Sequence, residues 1–378
     1  MTPLSGLKVV ELARILAGPW AGQTLAGLGA DVIKVEAPEG DDTRRWGPPF
    51  LDHASGKAAA YFHGTNRGKR SVALNLMNTD DARVLRALIA DADVLIENFK
   101  VGALDRMGFG PAAMAELNPR LVHCSITGFG QDGPYAGRAG YDVMIQAMSG
   151  LMSITGEADG PPQKVGVAVA DIATGLYATI GILSALRERD RTGRGQHLDL
   201  SLLDCAVALT ANQAMNYLAT GDAPGRLGNG HPNLVPYQAF PTSDGWAVIA
   251  VGNEAQYRRF CQVIGEAELG TDPAWATNAD RVAGRNVLVP RIAAATGRMT
   301  RDALLSGCEA AGVPAGPINT LHDVFADPHV AERGLSAPAD GLPGVAVPIR
   351  RAGAGPTAAG RAPGLDEHGD EIRARQSF

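Results

Sequence analysis

One stretch limits the folds open to this chain. Val165–Arg189, VGVAVADIATGLYATIGILSALRER, is nearly all apolar and carries the carboxylate of Asp171 near its start. Ile172, Leu176, Tyr177, Ile180, Leu183 and Leu186 recur at the spacing of a buried helix face. Gly175 and Gly181 lower helix propensity, so they point to close packing against a neighbour. The Val-rich residues before Asp171 read as extended, which sets Asp171 at a strand-to-helix junction. An aspartate there caps the first free backbone N–H groups, worth about 1 kcal/mol. The same carboxylate, favoured in its ionised form by the positive end of the helix, is also a group that attacks acyl or phosphoryl centres. The local pattern supports both roles. The run approaches the ~20 residues of a membrane span, but Asp171 and three glycines interrupt it. Its expected place is the core of a soluble protein.

Around this stretch the chain alternates strands and helices. Lys8–Leu12, a helix with Pro19 in its first turn, and Asp31–Glu36 make a β–α–β unit. It resembles a nucleotide-binding half-domain. The intervening turn, ARILAGPWAG, lacks the G-x-G-x-x-G of dinucleotide sites, which disfavours an NAD-dependent dehydrogenase. Glu36 reads as a solvated strand end. Strands follow at Ser71–Leu76, Ala92–Glu97 and Leu121–Ile126, with a helix over Thr79–Asp91. Asn98 and Phe99 fall just beyond a strand, where α/β sheets bind ligands. This alternation is a doubly wound α/β domain. Beyond the apolar stretch come a strand and a helix from Leu202 to about Tyr217. Gly221–Pro236, rich in glycine and proline, is a linker or mobile loop. From Tyr237 the pattern changes: YQAFPTSDGWAVIAV is a β-hairpin turning at Asp244-Gly245. Helices near Glu254–Ile264, Val287–Thr296 and Arg301–Ala311 complete a smaller α+β domain. Residues 335–378, rich in Gly, Pro and Ala, read as extended chain wrapping back.

The length of 378 residues makes two domains the prior. The net charge of −6 argues against a general nucleic-acid or anionic-membrane binder. Within that acidic chain Arg44, Arg45, Arg67, Lys69 and Arg70 cluster, which suits phosphate or carboxylate groups on a ligand, or else a solvated surface. Cys124, Cys205, Cys261 and Cys308 lie far apart and suggest neither a zinc site nor a disulfide framework. The N-terminus shows no signal-peptide pattern, so a cytoplasmic location is expected.

Eight motifs, in order, carry a resemblance: LSGLKVVELARILAGP, LGADVIKVEAPEGDDTR, NRGKRSVALNL, ADVLIENF, GALDRMGFG, NPRLVHCSITGFGQDGP, the segment around Asp171, and RTGRGQHLDLSLLD. The chain resembles the family III coenzyme A transferases from about Leu4 to Asp370. GDDTRRWGPPF, AGYD, GLMSITGE and VPYQAF are most similar to the branch that exchanges CoA among dicarboxylates such as succinate and hydroxymethylglutarate. The resemblance implies an α/β fold with a large doubly wound, Rossmann-like domain over 1–220 and a smaller α+β domain over 221–330. A segment at 331–378 returns to the large domain, and two subunits form an interlaced homodimer. It also implies acyl-CoA and small carboxylic acids as substrates, with coenzyme A as co-substrate and no metal or resident cofactor. No nucleic-acid or membrane partner is expected.

Carried over by motif, Asp171 is the nucleophile. Leu74, Asn75, Leu76, Met77, Asn98, Phe99, Arg106, Gly140 and Tyr141 fall on coenzyme A positions. Arg14, Trp46, Gly228, Asn229 and Gly230 fall on the substrate side. Arg14 and Leu16 stand where formyl-CoA transferases have His and Gln, and the glycine flap is reduced to Leu227–His231. Both departures point away from formyl or oxalyl specificity. Arg14 would suit an acid with a second carboxylate. Two rival functions are an α-methylacyl-CoA racemase on the same fold and a non-catalytic acyl-CoA-binding protein. The racemase motif has Gly-His-Asp where this chain has Gly140-Tyr141-Asp142, and an unperturbed tyrosine, with a pKa of about 10, is a poor base.

Overall fold

The structure, a computed structural model, describes residues 2–54, 56–352 and 360–375. These form two compact units. One takes residues up to 151, 164–222 and those from 327 onward; the other takes 152–163 and 223–326. The sequence pattern suggests a large domain unbroken to 220, whereas residues 152–163 group with the second unit.

Strands in the first unit are β1 (Lys8–Glu11), β2 (Asp31–Glu36), β3 (Phe50–His53), β4 (Gly56–Ala59), β5 (Arg70–Ala73), β6 (Val94–Glu97), β7 (Val122–Thr127) and β8 (His197–Ser201). Six of them form one sheet in the order β5-β2-β1-β6-β7-β8, with every pairing parallel. β3 and β4 pair as a separate antiparallel hairpin. The large sheet is doubly wound, and its strand order reverses between β1 and β6. Central strand β6 (VLIE) is buried along its whole length because both faces of the sheet are covered there. Val9, Val94 and Ile96 face a core shared with Leu25 and Ile182, while Val10 and Leu95 face one shared with Leu85, Ile89 and Met114. The alternation of neighbouring residues between the two cores is the period-2 geometry of a strand.

The apolar stretch forms one helix, Val169–Thr192. It is long and apolar enough to cross a bilayer, and half of its most apolar window is buried in the protein. The buried face is only partly the expected one: Leu186 is buried and Leu183 packs against the core, but the rest differs. Ala170, Ala173, Thr174, Ala178 and Ala185 face inward, joined by Ile182. Leu176, Tyr177 and Ile180 stand 46%, 43% and 60% exposed. Close approach to the helix Ala17–Gly27 explains the choice. A Cβ on Gly175 would lie 2.6 Å from the Ala17 carbonyl oxygen, so only small side chains fit that side. Gly181 does not share this role, since a Cβ there would meet Leu198 at an ordinary 3.5 Å.

The helix expected over Leu202–Tyr217 is two helices, Leu202–Leu209 and Ala211–Thr220, broken where Ala211 takes a positive φ of 41°. The basic cluster is neither a ligand patch nor a solvated surface, because most of it is spent inside the fold. Arg44 forms a two-pronged pair with Glu36 at 2.7 and 2.8 Å. Lys69 is buried against Glu11, Arg67 donates to the carbonyls of Val345 and Ala337, and Arg70 pairs with Asp31. Glu36 is therefore a buried ion-pair partner rather than a solvated strand end.

In the second unit β9 (Tyr237–Thr242), β10 (Gly245–Ala250) and β11 (Ala315–Pro317) make an antiparallel sheet in the order β11-β10-β9. Thr242 pairs with Gly245, so the turn residues are Ser243-Asp244, one position earlier than the motif suggested. Helices Glu254–Val263, Arg285–Thr296 and Arg301–Ala310 pack on it through Tyr257, Phe260, Leu288, Ile292 and Leu304. Within the C-terminal stretch, residues 353–359 lie outside the described residues. Its helix Gly369–Arg375 places Ile372 in the first unit's core.

Candidate active site

The carboxyl ends of β1 and β6 meet at the reversal of strand order, the position where open α/β sheets bind ligands. β1 runs out into Leu12–Leu16 and β6 into Asn98–Phe99. Asn98 ties the two together: its Oδ1 accepts the Arg14 N–H at 3.0 Å and its Nδ2 donates to the Arg14 carbonyl at 2.8 Å. Ionic groups buried below include Glu11, Lys34, Asp41 and Lys69. Lys34 Nζ lies 3.1 Å from Glu11 Oε1 and 3.0 Å from Asp41 Oδ2. The Asp41 carboxylate also accepts the Ile15 N–H.

Two cavities open along this edge. One of about 430 Å³ lies over the ends of β1, β2 and β5, lined by Glu36–Asp41, Leu74, Asn75, Leu76 and Met107. The other, of about 280 Å³, is lined by Asn98, Lys100, Arg106, Arg138, Gly140, Tyr141 and Asp171. Arg14 and Phe99 line both. Motif positions scattered over some 160 residues of sequence thus meet along one edge.

Not all do. Met77 is 82% exposed and lines neither cavity. Trp46 lines neither and instead packs edge-on against Tyr61, with ring centroids 5.4 Å apart. Gly228, Asn229 and Gly230 belong to the second unit. There the Gly228 N–H donates to the Gly156 carbonyl at 2.9 Å, and the Gly230 N–H donates to the Leu227 carbonyl at 2.8 Å. Gly140 has a packing reason to be glycine: a Cβ there would lie 2.5 Å from Gly128 Cα. Among the described residues, no group of His, Cys, Asp and Glu is arranged to hold a metal ion.

Asp171 is the third residue of its helix and caps nothing; Ala168 holds the N-cap position without a side-chain bond. The cap comes from Asp142, 29 positions earlier. Asp142 Oδ1 accepts the Ala170 N–H at 2.9 Å and the Asp171 N–H at 3.4 Å. Its Oδ2 accepts from the buried Gln146 Nε2 at 2.6 Å, and Gln146 Oε1 accepts the Val165 N–H at 2.9 Å. The positive end of the helix by itself favours ionised Asp171. Burial, and after it the Asp142 charge, instead push its carboxyl up to about 7. Tyr61 senses the same charges: burial, then Asp171, Asp142 and Asp41, push its phenol up to about 12, so it remains a hydrogen-bond donor.

Lys100 and Arg138 line the second cavity, Asp142 and Gln146 hold the start of the Asp171 helix, and Tyr61 senses its charge; the motifs assigned none of these five. The i, i+4 spacing of Asp142 and Gln146 on one helix was the available signal for that pair. Tyr61 carried none. Chemically, the second cavity presents one carboxylate, Asp171, among Arg14, Lys100, Arg106 and Arg138. Such a setting suits an anionic substrate and a carboxylate basic enough to attack a thioester.

Residues 4–369 match the model of the family described as CoA-transferase family III. A succinate–glutarate CoA-transferase from Agrobacterium fabrum is 52% identical, over 92% of this chain and 89% of that protein. A succinyl-CoA:glutarate CoA-transferase from Mus musculus is 44% identical, over 89% of this chain and 76% of its own length. Among solved structures, a CAIB/BAIF family protein from Brucella suis superposes with a TM-score of 0.90 at 55% identity, covering all of both chains. These relatives agree with the dicarboxylate branch that the motifs resembled. The chain belongs to CoA-transferase family III and is an enzyme of that family.

Proposed function

We propose that this enzyme moves coenzyme A from an acyl-CoA to a free dicarboxylic acid through a covalent intermediate on Asp171. The observation that carries the reading is the placement of Asp171. Among the described residues it is the one carboxylate lining the second cavity, in the first turn of a helix and beside the expected thioester positions Gly140 and Tyr141. An Asp171 oxygen attacks the thioester carbonyl, the C–S bond breaks, and CoA leaves as a thiolate. The thiolate then attacks the Asp171 carbonyl of the resulting anhydride, which releases the first acid and leaves an aspartyl-CoA thioester. The incoming acid runs the same two steps in reverse, so no net proton or electron is consumed. Arg106 and Lys100 supply positive charge for the CoA thiolate and its phosphates. The larger cavity, edged by Leu74–Leu76, takes the nucleotide end of the coenzyme.

Arg14 is the proposed anchor for the second carboxylate of a diacid. Its side chain is 62% exposed and its guanidinium pairs with Asp42 at 2.9 Å, a contact a substrate carboxylate can exchange with. Succinate and glutarate are the proposed diacids, on the strength of the relatives. A homodimer belongs to the same proposal, supported by the exposed Leu176, Tyr177 and Ile180, and by the exposed Met215 and Leu218 of the Ala211–Thr220 helix. So does a cytoplasmic location. The test is a screen of acyl-CoA donors against mono- and dicarboxylic acids, read by mass spectrometry of the CoA products. Glutaryl-CoA is expected from succinyl-CoA and glutarate; exchange confined to monocarboxylates would refute the diacid assignment.

A further inference from the structure

We propose that Asp41 is a positioning residue for diacid specificity: by holding Ile15 in a left-handed backbone, it sets where Arg14 stands between the two cavities. The inference rests on the reading of Arg14 given above.

Ile15 has a φ of +71°, a conformation that disfavours any residue with a Cβ, and a β-branched one most. Four hydrogen bonds maintain it. Both Asp41 carboxylate oxygens accept the Ile15 N–H, at 3.2 and 3.3 Å. On the preceding residue, the Asn98 amide takes both the N–H and the carbonyl of Arg14. With residue 15 in a right-handed or extended conformation the chain would leave β1 in another direction. Arg14, which lines both cavities, would leave their shared mouth.

Asp41 is itself fixed. It is 2% exposed, and one oxygen accepts the Thr43 N–H at 3.0 Å and the Thr43 hydroxyl at 2.7 Å. Lys34 completes its surroundings, 3.0 Å away, and also donates to the Ala13 carbonyl at 2.8 Å. Ala13 is thus held from below by the same lysine that holds Asp41. Buried ion pairs are an inefficient source of stability compared with apolar packing. Ionic groups gathered under one strained loop are better accounted for by the geometry they impose on Ala13–Leu16.

The experiment measures the coupling between Asp41 and Ile15. Glycine adopts a positive φ without steric cost, so an Ile15→Gly background has less need of Asp41. Asp41→Ala is expected to raise KM for glutarate about tenfold in the native background, with KM for succinyl-CoA changed less than threefold. In the Ile15→Gly background the same substitution is expected to change glutarate KM less than threefold. If Asp41→Ala does not fold, Asp41→Asn serves. It keeps an acceptor for the Ile15 N–H, and its expected penalty is about threefold with Ile15 and none with Ile15→Gly. Equal penalties in the two backgrounds, or a parallel rise in both KM values, would overturn the positioning role. Arg14→Ala, measured alongside, separates the two readings. An unchanged glutarate KM there overturns the Arg14 assignment, and the specificity role of Asp41 with it. A raised one, together with equal penalties in the two backgrounds, overturns Asp41 alone.

Discussion

Replacing Asp142 by Asn should shift the pH dependence of exchange to lower pH. Asp142 does two things at once: it caps the Asp171 helix through the Ala170 and Asp171 N–H groups, and it sets a negative charge beside Asp171. Asparagine keeps a capping oxygen and removes the charge. The Asp171 carboxyl stands at about 7 against an ordinary 3.8, with burial the larger cause and Asp142 the second. Less than half of the difference is therefore owed to Asp142, and its removal should lower the midpoint by roughly one pH unit, or about 1.4 kcal/mol. In the proposed mechanism Asp171 attacks in its ionised form, so kcat should rise with pH through about 7 in the native enzyme and through about 6 in Asp142→Asn. Stability follows with the opposite sign. Between pH 4 and 7 folded Asp171 keeps a proton that the unfolded chain has lost, so native stability falls as pH rises through that window. In the variant that fall ends about one unit earlier. The amide also brings an N–H₂ against the Gln146 Nε2 donor, an unmade bond costing about 1–3 kcal/mol. Initial exchange rates with saturating glutarate over pH 5–9, alongside thermal melts, measure both effects. A midpoint that stays put or moves upward would refute the electrostatic reasoning.

Further outcomes follow from other contacts. Arg106→Ala should weaken CoA binding by roughly 1.5–3 kcal/mol, the worth of a charge-assisted hydrogen bond; calorimetry with unchanged affinity in a folded variant would remove Arg106 from the coenzyme site. Gly175→Ala places a methyl 2.6 Å from the Ala17 carbonyl oxygen and should destabilise the protein by about 1–3 kcal/mol in denaturant titration, whereas Gly181→Ala should be mild. An interlaced dimer should persist on dilution to nanomolar concentration; a native-like monomer seen there by mass photometry would count against it. Incubation with a chiral 2-methylacyl-CoA in deuterated water and no acceptor acid should leave the 2-position unlabelled, while labelling with loss of configuration would favour the racemase.

Much of the architecture was legible because it rests on local rules. β2 occupies the expected Asp31–Glu36, and β6 and β7 fall within two residues of expectation, since short β-branched and apolar runs between turn signals are read locally. What escaped was decided between distant residues. The inward face of the Val169–Thr192 helix was chosen by the close approach of Ala17 and Trp20, which favours alanine over leucine at the contact. The cap on that helix came from Asp142, so the local rule that made Asp171 a cap had a competitor it could not see. Arg44, Lys69 and Arg70 looked like a ligand patch because Glu36, Glu11 and Asp31 sit on other strands. The motifs assigned Leu74–Leu76, Asn98, Phe99, Arg106, Gly140 and Tyr141 to the coenzyme, and in the fold these residues line two cavities at the carboxyl edge of the sheet. They said nothing of Ile15, whose strained backbone is written in no side-chain pattern.

The covalent step is the centre of the account, and trapping it is the most direct test. Enzyme incubated with succinyl-CoA is quenched, treated with hydroxylamine or borohydride, digested, and analysed by mass spectrometry. The peptide carrying Asp171 should be modified at that residue in the native enzyme, and Asp171→Ala should lose both the modification and the exchange. An Asp171→Ala variant that exchanges CoA at a near-native rate, or a modification found reproducibly on another residue, would contradict it.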